Sequence, residues 1–423
     1  MKWFSVIDQL EFKMSKFLRT LLQRSYLALI AIPFKLMPSL AYMAFTGQGS
    51  TAQLCRHIAR QGIRKVLVVS DKPLVELGIV ARAVDVLTEE GLVCTIYDGT
   101  LPDPTFSMVD AGLALQAEYN CDAVLAIGGG SSIDCAKTIA SAATNGRDGR
   151  KLVGYFKVKK APLPLFALPT TSGTGSEATI AAVISDQQSH EKFFIADPKM
   201  LPKAVALDAD LLLGMPTAIT AATGMDALTH AIETYISLWG TDSSNAYGYA
   251  SVKMIFEYLP RAYRDGSDAV AREQMAIAAY YSGMAINDAG VGNVHAIAHQ
   301  LGRQYGTPHG LANALVMPEV LRFMAKAAQE PLAKLGRLID VAGSGDSDEK
   351  AAEKFIDAIA DLNRRLGIPG QLDSLNKADI PAIAAAAVKE GAAYPVPILM
   401  SRAECQAILA TLLSTTERAA AFA

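Results

Sequence analysis

Between Ile63 and Leu168 the chain alternates short β-branched runs with longer helical stretches, and no other feature constrains its fold as strongly. Lys65–Ser70 (KVLVVS) reads as a strand, followed by a helical segment from Asp71 through Leu87. Leu92–Tyr97 reads as the next strand, Pro102–Pro104 as a turn, Phe106–Glu118 as a helix and Ala123–Ile127 (AVLAI) as a buried strand. Strands joined through helices run parallel, so the pattern predicts a parallel sheet wrapped by helices, with ligands bound at the carboxyl ends of its strands. After Asp208-Ala209-Asp210 the character changes, and alanine-rich helical stretches replace the β-branched runs. Helices are expected from Thr217 behind Pro216, and over Ser244–Tyr258, Ala269–Met284, Leu311–Ala328, Ala351–Leu366 and Ala403–Ala410. Loop signals at Gly266–Ser267 and Gly343–Asp348 separate them. With 423 residues the chain exceeds one ordinary core. The expected organisation is an N-terminal helical extension (1–45), a dinucleotide-binding α/β domain (46–210) and an all-helical metal-binding domain (211–423), with a cleft between the last two.

The carboxyl end of the AVLAI strand carries Gly128-Gly129-Gly130-Ser131-Ser132 and then a helix, IDCAK. Glycines without Cβ atoms let the backbone approach a ligand, and the free amides of a helix's first turn attract phosphate. Ser131 with Asp134 fits a helix-capping pair. Asp71, just past the first strand, can accept hydrogen bonds from the adenosine ribose and would repel a 2'-phosphate, which favours NAD over NADP. A second small-residue loop, Pro169-Thr170-Thr171-Ser172-Gly173-Thr174-Gly175-Ser176-Glu177, offers hydroxyls and amides suited to a pyrophosphate or ribose. Lys192, on the strand-like EKFFIAD, points toward the same region.

In the helical half, Gly292–Gly310 gathers His295, His299 and His309, three of the six histidines, and Asp226 and His230 repeat the four-residue spacing of His295 and His299. On a helix that spacing puts both side chains on one face, one turn apart. His309, behind Pro308, needs a chain reversal to meet the others. Imidazoles and a carboxylate are the ligand types of zinc or ferrous iron, and two facing helices can close most of a coordination shell.

A net charge of −3 and the absence of a basic run argue against a nucleic-acid partner. Five cysteines, with no CxxC pair, point to a reduced, cytoplasmic setting. The first 45 residues stand apart. Lys13, Lys16, Arg19 and Arg24 are spaced among Phe12, Phe17, Leu18, Leu21 and Leu22, ahead of an apolar run from Tyr26 to Phe34 that Pro33, Lys35 and Pro38 cut short of a membrane span. The favoured expectation is a helix packed on its own protein or a neighbouring subunit, and the alternative is a basic amphipathic helix on a membrane surface.

GGGSSIDCAK, ALPTTSGTGSEAT, GMDALTHAIE and HAIAHQLGRQYGTPHGLANA, in this order, resemble the iron-containing (iron-activated) alcohol dehydrogenases, and the similarity runs from about Thr46 to the C-terminus. The resemblance implies a dehydroquinate synthase-like architecture and reversible hydride transfer between a primary alcohol or aldehyde and NAD. It implies Asp226, His230, His295 and His309 as metal ligands, with His299 beside the metal near the substrate. Cofactor contacts would be Asp71, Asp103, Gly129, Gly130, Ser131, Ser132, Thr170, Thr171, Thr174 and Lys192. Some members have Asn where this chain has Ala181, a departure that bears on one cofactor hydrogen bond. Iron is the metal expected from the family, with zinc as the alternative, and a homodimer or higher homo-oligomer is expected. Glycerol dehydrogenase or a related polyol oxidoreductase is the nearest alternative activity. A dehydroquinate synthase-type lyase and a metal-dependent hydrolase of a phosphorylated substrate are more remote.

Overall fold

A computed structural model describes residues 16–35, 40–188 and 191–414. Phe12, Lys13 and Pro38 of the extension lie outside the described residues. Six strands, β1 (Ala44–Thr46), β2 (Lys65–Val69), β3 (Val93–Tyr97), β4 (Ala123–Gly128), β6 (Leu165–Pro169) and β9 (Ala204–Leu207), form one sheet in the order β1-β9-β6-β4-β2-β3. Every pairing in it is parallel. The inner strands β4 and β6 are buried along their whole length, because helices cover both faces; that is why they are continuous apolar runs without polar alternation. Separate cores fill the two sides of the sheet, one holding Val66, Val68 and Leu125 and the other Leu67, Val124 and Ala126. From β2 the chain steps outward to β3 and returns past β2 to β4, so the strand order reverses between β2 and β4. Asp71 follows one of these strands and Gly129 the other, which places both at the crevice where doubly wound sheets bind ligands.

The parallel α/β sheet and the helical second half agree with the expected fold class, but three local readings change. The segment Asp71–Leu87 is two helices, Lys72–Glu76 and Ile79–Glu89, because Gly78 takes a left-handed conformation (φ 73°) between them. Ser131 and Asp134 are not a cap: the helix Gly130–Thr144 starts with Gly129 at its N-cap and no side-chain bond there. Asp134 instead accepts from Ser176 Oγ (2.5 Å) and Val183 N (2.9 Å). The strand-like EKFFIAD is β8 (Lys192–Ala196) and carries Lys192, but it belongs to a small separate sheet with β5 (Gly154–Tyr155) and β7 (Ala181–Ser185), neither of them foreseen, and pairs antiparallel with β7.

The second half contains helices Thr217–Tyr235, Asp242–Arg264, Ala269–Ala289, Asn293–Tyr305, His309–Met324, Gln329–Leu338, Asp348–Arg365, Ile380–Gly391 and Arg402–Thr411 around a core of its own. The loop after β6 is wedged into this bundle. A Cβ on Gly175 would stand 2.5 Å from the Ala279 carbonyl and 2.8 Å from Gly283 Cα, so only a glycine permits the two backbones to touch. Asn287 stitches the same seam, accepting from Ile180 N (2.9 Å) and donating to the Ala178 carbonyl (2.8 Å). Among the described residues no helix is long and apolar enough to cross a membrane. The extension helix, Lys16–Lys35, leans on the protein through the buried Leu27 and a hydrogen bond from Gln23 Nε2 to the Ala392 carbonyl (3.1 Å).

A candidate metal and dinucleotide site

Helix Thr217–Tyr235 presents Asp226, His230 and Glu233 at positions i, i+4 and i+7, one face over two turns. Helix Asn293–Tyr305 presents His295 and His299. It ends at Gly306 in the left-handed region (φ 65°), and the chain reverses through Pro308 into helix His309–Met324. That reversal returns His309 to its partners. Asp226, His230, His295 and His309 place one donor atom each within 4.8 Å of all the others. His230 Nε2 lies 3.0 Å from His295 Nε2, and Asp226 Oδ1 lies 3.4 Å from His309 Nε2 and 3.9 Å from His295 Nε2. Donors ~2.1 Å from a tetrahedral ion stand about 3.4 Å from one another, so these separations bracket what a zinc- or iron-sized ion requires.

Hydrogen-bond accounting also fits a cation. Burial raises the Glu233 carboxyl to about 8, against the hydrogen bonds it accepts from Val294 N, Gly292 N and His295, and a cation in the cluster would favour its ionised form. As a carboxylate, its Oε2, 2.7 Å from His295 Nδ1, draws the proton to that nitrogen. His295 Nε2 is then a bare lone pair facing His230 Nε2. A proton on His230 Nε2 would leave its buried Nδ1 as an acceptor with no hydrogen-bond partner. The Asn313 amide nitrogen faces three acceptors, Asp226 Oδ1 (2.7 Å), His309 Nε2 (3.2 Å) and His295 Nε2 (3.3 Å), with two hydrogens to give. Lone pairs outnumber protons here, and a divalent ion satisfies the excess.

Burial depresses the imidazoles: His295 lies well below its usual range through burial and the neighbouring His230 and His309, and His309 falls to about 4 through burial and the flanking histidines despite Asp226. Neutral imidazole is the form that binds metal. His309 is one-third exposed whereas Asp226 and His295 are buried, so the cluster opens on the His309 side. His299 stands there, its ring stacked on His309 at 5.3 Å between centroids. Its Nδ1 lies 2.5 Å from Glu390 Oε1, and that carboxylate also accepts from Tyr394 OH (2.7 Å) and Gln300 Nε2 (2.6 Å). Burial pushes the Glu390 carboxyl up, but these hydrogen bonds, with His299 foremost, outweigh it and hold the group below its usual range.

The nucleotide motifs meet on the other side. β4 and β6 pair Gly128 with Pro169, which sets the two small-residue loops side by side. A Cβ on Gly130 would stand 2.6 Å from Thr174 Cγ2, and one on Gly129 would stand 3.3 Å from Thr171 Oγ1. Thr170 donates its N–H to the Gly128 carbonyl (3.0 Å). With no side chain capping the helix at Gly129, the amides of its first turn remain available to an anion. Asp71 caps its own short helix, accepting from Leu74 N (3.0 Å). Lys192 Nζ pairs with Asp103 Oδ1 at 2.7 Å, beside the opening and near enough to His309 to lower that imidazole's pKa. Ala181 offers the site only its backbone carbonyl, which Lys137 binds.

Four residues that sequence reasoning missed organise this site: Glu233, Asn313, Glu390 and Lys137. Glu233 and Asn313 were legible in principle, since each lies on a ligand's helix face, three residues beyond His230 and four beyond His309. Glu390 comes from a helix 91 residues away from its partner. Lys137 is fully buried, and its ammonium contacts five oxygens of Ser176, Thr179 and Ala181 at 2.6–3.1 Å, fixing the loop from beneath. Burial lowers its pKa to about 8, against the pull of Asp134 and Glu177.

Known proteins provide an independent comparison. Residues 43–209 match the family model described as iron-containing alcohol dehydrogenase, and 220–413 that of the Fe-containing alcohol dehydrogenase family, C-terminal. The chain is 39% identical over 351 residues to lactaldehyde reductase of Escherichia coli (strain K12), covering 82% of this chain and 91% of that protein. It superposes on a crystal structure of 1,3-propanediol oxidoreductase with a TM-score of 0.85 at 37% identity, over 89% of this chain and 100% of the other. A sulfoacetaldehyde reductase from Bifidobacterium kashiwanohense, solved in complex with NAD+, matches with a TM-score of 0.81 at 27% identity, over 90% and 99% of the two chains.

Proposed function

The chain belongs to the iron-containing alcohol dehydrogenase family, and on that premise we propose that it is a metal-dependent dehydrogenase that interconverts a primary alcohol and its aldehyde with NAD. One observation carries the reading: four donor atoms of Asp226, His230, His295 and His309 converge within 4.8 Å, on helices that abut the nucleotide loops. These four residues would hold a divalent metal, iron by family and zinc as the alternative. Bound there, the ion supplies Lewis acidity that favours loss of the alcohol's hydroxyl proton and, in reverse, polarises the aldehyde. Gly129, Gly130, Ser131, Ser132, Thr170, Thr171 and Thr174 would line the dinucleotide path, with Asp71 at the adenosine ribose and Asp103 and Lys192 near the reacting end. NAD supplies the hydride acceptor.

The chain's own contribution is positioning and proton management. Glu233 holds His295 with its proton on Nδ1, leaving Nε2 free for coordination. His299, on the open side, is placed to take the hydroxyl proton at Nε2, because Glu390 engages its Nδ1. The five cysteines are unpaired, which supports a reducing, cytoplasmic setting, and the resemblance supports a homodimer or larger homo-oligomer.

Anaerobic reconstitution with Fe2+ or Zn2+, followed by NAD and a panel of primary alcohols and diols, tests the reading. NADH formation that depends on added metal is expected. Hydrolysis of phosphate esters by the metal-loaded protein, with no NADH from any alcohol, would replace it with the hydrolase reading.

A further inference from the structure

The matched structure of 1,3-propanediol oxidoreductase is covered completely, and the family model begins only at residue 43, so the extension helix is additional to the matched fold. Its inner side rests on the body through Leu27 and Gln23. Its outer side is apolar: Leu21, Leu22, Leu29 and Ile32 are 51%, 40%, 66% and 50% exposed, with Ser25 and Ala28 between them. Spacings of three, four and seven residues gather these positions into one stripe. Beside the helix stands a second exposed apolar group. Tyr155, close enough to Tyr26 for the two phenols to interact electrostatically, packs on Phe156 and on Phe194 with centroids 6.3 and 5.3 Å away, and all three rings are exposed.

Two of the segments that carry these residues are basic and lack acids. The helix sequence Lys16–Lys35 contains Lys16, Arg19, Arg24 and Lys35 and no acid, in a chain whose net charge is −3. The segment 149–160, which carries Tyr155 and Phe156, contains Arg150, Lys151, Lys157, Lys159 and Lys160 and again no acid. Arg150 and Lys151 pair with Asp148, whereas Lys157, Lys159 and Lys160 are exposed and make no ion pair among the described residues. A second copy docking symmetrically on this face would oppose cation to cation. Anionic headgroups would complement it, and apolar residues with aromatic rings at the boundary suit the interfacial layer of a bilayer.

We propose that the extension helix and the Tyr155–Phe156–Phe194 face form one docking surface for an anionic phospholipid bilayer, with the stripe at the boundary between headgroups and acyl chains. The contact is peripheral, since no described helix spans a membrane. It requires neither metal nor NAD, so it stands or falls apart from the enzymatic reading. The test is co-sedimentation of the full chain with phosphatidylcholine vesicles, with and without phosphatidylglycerol, at low and high salt. Binding is expected only to the anionic vesicles and is expected to weaken at least ~10-fold at high salt. The pair Leu21→Asp/Leu29→Asp and the triple Lys157→Glu/Lys159→Glu/Lys160→Glu should each lose binding ~10-fold or more while oxidising a water-soluble alcohol at the normal rate. Absence of vesicle binding overturns the proposal, as does binding indifferent to lipid charge, salt and both variants. Self-association abolished by the leucine variant, without vesicle binding, would make the face a subunit interface instead.

Discussion

Glu233 never faces the open side of the cluster, yet its buried carboxylate fixes which nitrogen of His295 is free. Outer carboxylates of this kind are worth ~10–100-fold in metal affinity. Glu233→Gln is therefore expected to weaken Zn2+ binding by that factor in a chelator competition, and unchanged affinity would detach Glu233 from the role. His299 predicts a different split. His299→Ala should keep metal content and NAD affinity near normal while turnover falls ~10²–10⁴-fold, the range of general acid-base groups. Glu390→Gln should reproduce part of that loss, and metal loss in the His299 variant would instead make this residue a ligand. The imidazoles also set an acid limit for the metal-free protein. His309 titrates near 4 when folded and His295 well below its usual 6.5, so the unfolded chain binds more protons across that interval. Their stabilising contribution is complete above about 6.5 and is lost as pH falls toward 4. The buried Glu233 and Glu177 carboxyls, raised to about 8 and about 7, act in the opposite sense, so the histidine contribution is read by difference. Urea midpoints of the metal-free protein should fall more steeply over that window than those of His309→Gln, and metal should oppose the fall.

At the scale of elements, what the sequence disclosed was what short-range periodicity encodes. Helix Phe106–Glu118 lies where its pattern placed it, and the two four-residue spacings put Asp226 with His230 and His295 with His299 on shared faces. Interactions between distant segments were not legible. Asp134 looked like a cap for Ser131 because capping is local, but its acceptors are used 42 and 49 residues away. β5 and β7 were missed because two- to five-residue strands carry little periodicity, and helices Gln329–Leu338 and Ile380–Gly391 because neither contains a motif. Lys137 shows what such contacts are worth. Its substitution by Met would strip five oxygens of their donor and leave the buried Asp134 and Glu177 without a compensating cation. Breaking a buried charged network of this kind costs ~3–5 kcal/mol. Lys137→Met should lower the unfolding free energy by about that amount in urea titrations and weaken NAD binding more than metal binding.

Across the whole molecule, the two halves meet where backbone touches backbone. A methyl group on Gly283 would come within 2.3 Å of the Gly175 carbonyl oxygen, so Gly283→Ala must displace the nucleotide loop from the bundle. The expected outcome is a lower kcat with the binding of metal and of NAD, measured separately, nearly unchanged, because each half keeps its own ligands. A variant with normal kcat would show that the seam tolerates the shift. Two glycines in contact, with Asn287 bonded across the same line, fix the spacing of the halves at this point, and Tyr280 and Met284 of the helix Ala269–Ala289 pack into the sheet-side core beside it. A tight seam of this kind would act as a fulcrum: any rotation of one half against the other would change the gap at the far edge of the cleft more than the spacing at the pivot. Distances between the nucleotide loop and the ligand helices would stay constant through such a motion, and only the doorway beside His309 and Lys192 would widen or narrow.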